Sequence, residues 1–366
     1  MKILLLGEYS NVHATLSAAF RTLGHEVTLC SNGDFWKDYP RDIDVARQPG
    51  RWGGIKLMAR VASLLPVFRG YDIVQLINPM FLELKAERLF PLYRYLRRHN
   101  HAVVLGAFGM DWYWVSECTT RKPLLYSDFN IGDELRHNPE AIKEQQDWLH
   151  TPKGRLNQFI AADCSHIVTG LYEYDVCYRP HFPHKTTYIP FPIRVAETKP
   201  NVSDGLPDAP LRIFVGISRG RSAYKGTDVM LRAARRVADR HPGRVELIVA
   251  EGVPFSTYQH MMDGADVILD QLYSYTPSMN SLLAMSKGIV VVGGGEEDHY
   301  RFIGEHTLRP IVNVRPSEED VCQQLEHLLA NPQLIPQLKR QSVEYVWRHH
   351  HWLSVAQRYL SLYQTL

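Results

Sequence analysis

The chain has 366 residues, of which 45% are hydrophobic and 22% charged, a composition typical of a soluble globular protein with two domains. Its formal net charge of +2 excludes the concentrated basic surface expected of a nucleic-acid-binding protein. Five scattered cysteines without a CxxC pair exclude a disulfide framework and a zinc site, and no apolar run approaches the roughly 20 residues that span a bilayer. We therefore expect a cytoplasmic protein.

Strands and helices alternate along the first half of the chain. The buried run at 2–7 predicts a strand, and the pattern at 14–23 predicts a helix that Gly24 ends. Further elements follow in the same alternation: strands at 25–31, 71–76, 101–106, 165–169 and 186–189, and helices at 55–67 and 86–98. Such alternation predicts a mostly parallel sheet covered by helices on both faces.

A stretch rich in Pro, Asp, Asn and Gly, residues 195–210, is the best candidate for a linker. Alternation then restarts, with strands at 212–217, 245–249, 267–270, 289–292 and 311–314, and a helix at 318–329. The pattern predicts an α/β fold of two Rossmann-like, doubly wound domains that face each other across a cleft. The first domain covers 1–195 and the second 208–350, and the helix at 352–366 returns to the first.

The most informative segment is the basic loop at 211–228. Its strand reaches Gly216, and Arg219, Arg221 and Lys225 follow before a helix capped at 227–228. Ligands of open α/β sheets bind at the carboxyl ends of the strands, and helix N-termini favour anions. We predict a site for a multiply charged anion such as a diphosphate. The alternative is a solvated basic loop.

The first strand leads into the loop 7–13, which lacks the GxGxxG fingerprint of dinucleotide-binding proteins. We expect Gly7, Ser10 and Asn11 on the acceptor side of the cleft, with His13 as a catalytic candidate. The alternative for Ser10 and Asn11 is ordinary helix capping.

Asp111 follows another strand of the first domain, where a carboxylate can bind hydroxyls or act as a base. We predict a catalytic role for Asp111. The alternative is an aspartate that caps a helix or stabilises a turn.

Two loops of the predicted second domain complete the expected donor site. Ser278 and Asn280 begin a helix whose free N–H groups can meet a phosphate or a ribose. Gly294 lies in a run of three glycines that lets a ligand approach the backbone, and Glu296 or Glu297 can accept from sugar hydroxyls. The alternative for the glycine run and its glutamates is a flexible loop with surface acids.

Two basic stretches invite other interpretations. The histidines at 349–351 are not expected to bind a metal, because consecutive residues of a helix point about 100° apart. Aromatic and basic residues mix at 36–43 and 88–98, which suits either peripheral contact with an anionic membrane or a solvated face.

The segments YKGTDVMLRAARRV, ADVILDQLY, LLAMSKGIVVVGGGEE and HHHWLSVAQRYLSLY, in this order, resemble the GT-B glycosyltransferases. The first 34 residues resemble members of the retaining, nucleotide-sugar-dependent group (group 1, family 4 type) from bacterial surface-polysaccharide synthesis. The resemblance implies a donor site in the second domain, an acceptor site in the first, and retention of configuration. It also implies that Arg219 or Arg221 binds the diphosphate together with Lys225, without a divalent metal or other cofactor.

One departure from that family concerns two glutamates, separated by seven residues, that contact the donor sugar and the ribose. Tyr275 and Leu283 hold those positions here. The expected function is transfer of a sugar from a nucleoside-diphosphate donor to a glycan or lipid-linked acceptor. Two alternatives remain open: a sugar-nucleotide epimerase of the same shape, and a non-catalytic subunit that binds a glycan or a partner.

Overall fold

The computed structural model describes residues 1–202, 210–217, 220 and 222–366. The chain divides into two compact units. The first unit comprises Met1–Pro123, Glu144–Arg194 and Trp352–Leu366, and the second comprises Leu124–Lys143 and Val195–His351. The chain therefore passes between the two units four times.

The first unit is built on a seven-stranded parallel sheet with the order β3-β2-β1-β4-β5-β8-β9. The order reverses between β1 and the central strand β4, which pair in parallel, as at Ile3 and Ile73. The strands of this sheet are β1 (Lys2–Leu6), β2 (Glu26–Ser31), β3 (Ile43–Asp44), β4 (Ile73–Leu76), β5 (Ala102–Ala107), β8 (His166–Thr169) and β9 (Thr186–Tyr188).

Helices pack on this sheet and bury its apolar strands. They are α1 (Val12–Thr22), α2 (Gly53–Leu64), α3 (Ala86–His99), α4 (Trp112–Thr119), α6 (Pro152–Asp163), α7 (Tyr172–Tyr178) and α15 (Trp352–Tyr363). The last helix belongs to this unit because its aromatic face packs on α1: the ring centroid of Phe20 lies 6.3 Å from that of Tyr359 and 5.9 Å from that of Tyr363.

The second unit contains a five-stranded parallel sheet with the order β11-β10-β12-β13-β14. Its strands are β10 (Leu211–Ile217), β11 (Val245–Glu251), β12 (Val267–Asp270), β13 (Val290–Gly293) and β14 (Ile311–Asn313). Its helices are α8 (Ser222–Lys225), α9 (Thr227–Arg240), α10 (Phe255–Met262), α11 (Met279–Ser286), α12 (Glu297–Ile303), α13 (Glu318–Ala330) and α14 (Leu334–His349). The order reverses between β10 and β12, so the crevice that binds ligands in such sheets lies at their carboxyl ends.

One segment departs from the domain bounds expected from the sequence. Residues 124–143 were expected in the first domain, and they cluster with the second unit instead. They begin with a short antiparallel hairpin of β6 (Asn130–Ile131) and β7 (Glu134–Leu135), and helix α5 (Pro139–Trp148) follows across the boundary between the units. We call residues 124–136 the strap. The strap lies with the second unit because its apolar side chains, such as the fully buried Phe129, pack there, as on Tyr224.

Within the described part of the chain, no helix combines the length and the apolar character needed to cross a membrane.

Candidate functional site

The carboxyl ends of β10 and β12 bring together two residues predicted to bind the nucleotide. A Cβ atom on Gly216 would lie 2.5 Å from the hydroxyl oxygen of Tyr258, so only glycine leaves room for that hydroxyl. The side-chain amide of Asn280 donates to the same oxygen at 2.5 Å. Gly216 and Asn280 therefore meet at the half-buried Tyr258, at the point where the strand order reverses.

Asp270, the last residue of β12, fixes the start of α11 beside this point. Its buried Oδ2 accepts hydrogen bonds from the hydroxyls of Ser278 and Ser281, the latter at 2.6 Å. Ser278 also caps the helix, because its Oγ accepts from the backbone N–H of Asn280 at 3.2 Å and of Ser281 at 3.5 Å. The start of α11 is therefore held rigidly toward the crevice.

The loop after β10 lies against the loop after β12. The backbone N–H of Leu272 donates to the carbonyl oxygen of Lys225 at 2.9 Å. Gly226 then begins α9 with φ of 75°, and a Cβ there would lie 2.6 Å from Cβ of Leu272. This packing places Lys225 beside the carboxyl end of β12. Arg219 and Arg221, also predicted to bind the diphosphate, lie outside the described residues.

Gly294 and Glu297, both predicted to bind the donor, contact other parts of the protein in the structure. A Cβ on Gly294 would lie 2.2 Å from the carbonyl oxygen of Ser274, so the missing side chain makes room for protein backbone. The side chain of Glu297 is 65% exposed and forms a two-pronged ion pair with Arg309, at 2.7 and 2.9 Å. Both carboxylate oxygens of Glu297 thus contact the guanidinium of Arg309, and its role in donor binding stays a prediction.

The neighbouring Glu296 turns inward instead. Its Oε1 accepts from the hydroxyl of Tyr126 at 2.6 Å and from the amide of Asn313 at 2.9 Å. Glu296 is thus the glutamate of this loop that faces the interior of the second unit.

Tyr275 and Leu283 stand where the resembled family carries its two glutamates. Tyr275 is 2% exposed, its hydroxyl accepts from the backbone N–H of Leu125 at 2.8 Å, and its ring centroid lies 4.8 Å from that of Tyr126. Leu283 is half-buried on α11. An aromatic ring tied to the strap therefore replaces the first carboxylate.

In the first unit, His13 is fully buried and bonded on both nitrogens, and its catalytic role stays a prediction. Its Nδ1 donates to the carbonyl oxygen of Gly7 at 2.8 Å, and its Nε2 accepts from the amide of Gln75 at 3.3 Å. The hydroxyl of Tyr363 donates to the other end of Gln75. Burial lowers the pKa of His13 to about 3, against the opposing effect of the bond to Gly7, so the ring is neutral.

The residues predicted on the acceptor side begin α1 without capping it. Ser10 and Asn11 are half-buried with φ of 52° and 71°, and the side chain of Asn11 makes no capping bond. Glu8 caps the helix instead: its carboxylate accepts from the backbone N–H of His13 at 3.3 Å and of Ala14 at 2.7 Å. Burial raises the pKa of Glu8 to about 8 despite these bonds.

Gly7 is required by packing, since a Cβ there would lie 2.3 Å from the side chain of Ile77 and its φ is 85°. Ser10 is held from the next loop. Its backbone N–H donates to Asp34 at 2.8 Å, and its hydroxyl accepts from Lys37 at 3.2 Å.

Asp111 caps helix α4, and its catalytic role stays a prediction. Oδ1 accepts from the backbone N–H of Trp114 at 2.9 Å, and Oδ2 accepts from the hydroxyl of Tyr178 at 2.6 Å. The side chain is fully buried, so it presents no oxygen to a ligand. Burial raises the pKa of Asp111 to about 7, although the bonds from Trp114 and Tyr178 oppose the shift.

The raised pKa of Asp111 gives a prediction about stability and pH. Because the folded pKa lies above the unfolded value, this group stabilises the fold fully below pH 4, and the contribution is lost as the pH rises toward 7 and above. Asp111→Asn removes the charge, keeps the bond from Trp114 to its one carbonyl oxygen, and replaces the bond from Tyr178 by a donation from its amide to the Tyr178 hydroxyl oxygen. We expect its free energy of unfolding, relative to the parent protein, to improve by about 2 kcal/mol between pH 5 and pH 8. Urea unfolding at the two pH values measures this, and an equal difference at both would contradict it. Asp111→Ala, which loses the cap, should be less stable at both.

Several residues at the carboxyl ends of β10 and β12 were not predicted from the sequence. Asp270 ends a buried strand with a carboxylate, which is a signal that sequence reasoning could have used. Tyr258 and the strap carry no comparable pattern. Among the described residues, no group of three or more His, Cys, Asp or Glu side chains is placed to hold a metal ion.

No protein-family model and no curated protein sequence matches the chain. Solved structures do match it. Sucrose-phosphate synthase from Thermosynechococcus elongatus superposes with a TM-score of 0.63 at 14% identity, over 100% of this chain and 99% of that chain. HepE from Anabaena, solved in complex with UDP and glucose, superposes with a TM-score of 0.63 at 13% identity, over the whole of both chains.

A third similar structure belongs to a Listeria monocytogenes protein assigned as a UDP-N-acetylglucosamine 2-epimerase. It superposes with a TM-score of 0.55 at 11% identity, over 98% of this chain and 95% of that chain. These likenesses show the fold: two Rossmann-like, doubly wound α/β domains of the GT-B glycosyltransferase type. The fold predicted from the sequence is confirmed.

Proposed function

We propose that the protein transfers a sugar from a nucleoside-diphosphate donor to a hydroxyl of a glycan or lipid-linked acceptor. The observation that carries the proposal is the meeting of Gly216, Asn280 and the capped start of α11 where the strand order of the second sheet reverses. In doubly wound folds this is where nucleotides bind. The likeness to HepE, which was solved with UDP and glucose, supports the same class of ligand.

In this proposal the second unit binds the leaving diphosphate by electrostatics alone. Lys225 lies beside the start of α9, and the start of α11, where the N–H groups of Asn280 and Ser281 already donate to Ser278, contributes the positive end of its helix dipole. As the bond between the anomeric carbon and the phosphate oxygen breaks, negative charge grows on the diphosphate, and these groups stabilise it. Arg219 and Arg221 remain part of the proposed site, and no metal is required.

We place the acceptor in the first unit, at the loop after β1 that carries Gly7, Ser10 and Asn11. This loop lies at the carboxyl end of a strand where the order of the first sheet reverses. The acceptor oxygen forms the new bond to the anomeric carbon and transfers its proton to the departing diphosphate, which takes the electron pair of the broken bond. Retention of configuration, a role in bacterial surface polysaccharides and work at the inner face of a membrane belong to this proposal through resemblance.

A second candidate is a protein that binds a nucleoside diphosphate without transferring a sugar. It is favoured by Tyr275 and Leu283, which bring no carboxylate to the donor sugar, and by the bond that engages the hydroxyl of Tyr275. An epimerase would instead convert the donor sugar nucleotide into its epimer with no acceptor present. The similarity to the Listeria monocytogenes epimerase is the reason to assay for this activity as well.

Isothermal titration with UDP, GDP and ADP tests the proposal first. We expect one of them to bind, and Lys225→Ala to weaken its binding tenfold or more, about 1.4 kcal/mol, because a cation beside the diphosphate is lost. Lys287→Ala is the matched control, since Lys287 is exposed at the other end of α11, where it pairs with Asp263 at 2.5 Å.

The outcomes separate the candidates. If none of the three diphosphates binds, the transferase is excluded. If a diphosphate binds but its sugar nucleotides are neither transferred to glycan or lipid-linked acceptors nor interconverted, the non-catalytic protein replaces the transferase. If Lys225→Ala and Lys287→Ala bind the diphosphate with equal affinity, Lys225 does not contact it.

A further inference from the structure

The strap contacts the loops that follow three neighbouring strands of the second sheet, β10, β12 and β13. These are the loops that carry Lys225, Tyr275 and Glu296, so the strap borders the crevice proposed to bind the donor. It comes from a part of the chain that precedes this sheet by more than 70 residues. Its contacts therefore add side chains to the site that the Rossmann-like unit does not supply by itself.

Arg136 is the strongest of these contacts. It is 9% exposed, and its guanidinium carbon lies 3.5 Å from the ring centroid of Tyr273, in the loop after β12. Its Nη2 donates to the carbonyl oxygen of Ala223 at 2.8 Å, and its Nη1 donates to that of Tyr224 at 3.2 Å. These two carbonyls belong to α8, directly before Lys225. One planar side chain thus ties together the loops after β10 and β12.

The strap itself is well suited to hold Arg136 in place. Nη1 of Arg136 also donates to the carbonyl oxygens of Ser127 and Asp128, at 3.2 and 3.1 Å. The hydroxyl of Ser127 donates to the side chain of Asn130, whose amide donates to the carbonyls of Leu124 and Gly132 at 3.0 Å each. Ser127 and Asn130 are fully buried. Such a satisfied, buried polar network fixes one conformation.

A second bond connects the strap to the same short helix. The hydroxyl of Tyr224 donates to Asp128 at 2.6 Å, and its ring packs edge-on against Phe129 with centroids 6.4 Å apart. Tyr224 is 4% exposed and stands next to Lys225. The position of Lys225 therefore depends on the strap through both the backbone and the adjacent side chain.

We propose that the strap is a fixed part of the donor site and that Arg136 is a positioning residue, which holds α8 so that Lys225 meets the diphosphate. This inference rests on the function proposed above. It assigns no contact between Arg136 and the ligand: its donors are directed at backbone carbonyls and its ring partner is Tyr273.

The test compares a nucleoside diphosphate with its monophosphate, using UDP and UMP, or the GDP or ADP pair if the full-length parent protein binds that one. Arg136→Ala should weaken diphosphate binding tenfold or more and change monophosphate binding less than twofold, because only the outer phosphate depends on the placement of Lys225. Arg136→Lys keeps the charge but loses the planar guanidinium, so its diphosphate affinity should lie between those of the parent protein and Arg136→Ala. Tyr224→Phe removes only the bond to Asp128. It should also lower the ratio of diphosphate affinity to monophosphate affinity.

Arg212→Ala is the matched control. Arg212 also donates to a backbone carbonyl, that of Gly264 at 2.8 Å, but it lies at the amino end of β10. Hydrogen exchange of the unliganded proteins adds a second readout: the amides of 222–226 should exchange faster in Arg136→Ala than in Arg212→Ala.

The possible outcomes distinguish a failure of the positioning role of Arg136 from a failure of the proposed function. A diphosphate-to-monophosphate ratio unchanged in Arg136→Ala and Tyr224→Phe would overturn the positioning role while leaving the donor site intact. Equal weakening of both nucleotides would show that Arg136 only stabilises the fold. A parent protein that binds no diphosphate would overturn the proposed function and this inference together. If Arg136→Ala does not fold, Arg136→Lys and Tyr224→Phe give the same decision.

Discussion

Replacing Gly294 by alanine should destabilise the second unit by about 3 kcal/mol. The new Cβ would lie 2.2 Å from the carbonyl oxygen of Ser274 and 2.7 Å from its carbonyl carbon. Both atoms belong to backbone, in a loop that Tyr275 ties to the strap, so they cannot rotate away as a flexible side chain can. Urea unfolding, followed by a probe in the second unit, measures the loss.

Gly243→Ala separates this overlap from the ordinary cost of replacing a glycine. Gly243 has φ of 75° with nothing within 4 Å of the position of a Cβ, so its replacement brings only backbone strain, about 1–2 kcal/mol. If the two variants lose equal stability, Gly294 does not pack as described. The predicted role of Gly294 in letting a ligand approach the backbone would then regain support.

Replacing Glu305 by alanine should cost about 2–3 kcal/mol, because it removes a buried carboxylate that accepts charged hydrogen bonds from the partly exposed Arg348 and His349. Glu305 is 2% exposed. Its Oε2 meets Arg348 at 3.0 Å and His349 at 2.7 Å, and its Oε1 accepts from the backbone N–H of Thr307 at 2.7 Å and of Leu308 at 2.9 Å. The first two histidines at 349–351 thus have structural environments: His349 pairs with Glu305, and His350 packs against Tyr345.

The same carboxylate predicts a pH dependence. Burial alone would raise the pKa of Glu305, but the bonds from His349, Thr307 and Leu308 hold it well below its ordinary range. A lowered folded pKa stabilises the protein above about pH 4.5, and this contribution is lost as the pH falls further. The parent protein should therefore lose stability below pH 4.5 more steeply than Glu305→Ala.

Glu297→Ala, which removes an exposed pair with Arg309, should cost less than about 1 kcal/mol. A cost for Glu305→Ala as small as that would refute the buried pair.

Most of the fold could be predicted because its signals are local. Apolar runs mark the buried strands, and their alternation with amphipathic helices defines the two doubly wound sheets; the strands expected at 212–217 and 267–270 appear as β10 and β12. The strap could not be predicted. Its strands have two residues each, and its partners, such as Tyr224 and Tyr275, lie about 90 to 150 residues away in the sequence.

The position of a candidate site residue at a strand or helix end could be predicted from the sequence, whereas the burial of its side chain could not. Gly216 and Asn280 lie at strand and helix ends that the topology must bring to one crevice. Asp111 and His13 also follow strands, but their bonds to Tyr178 and Gly7 turn them into the interior, and a sequence does not display such bonds. Glu296 and Glu297 are adjacent, yet only the start of α12 decides which one faces inward.

The four passages of the chain between the two units have a consequence for biosynthesis. Residues 124–143 leave the ribosome before any part of Val195–His351, so the strap is made before the sheet on which it packs. Phe129 is fully buried in the finished protein, and the ring of Tyr224 in α8, on which it packs, is translated about 95 residues later. Neither unit can be produced as one uninterrupted fragment, and a nascent chain that stops near residue 195 would carry an exposed apolar hairpin that recruits chaperones or aggregates.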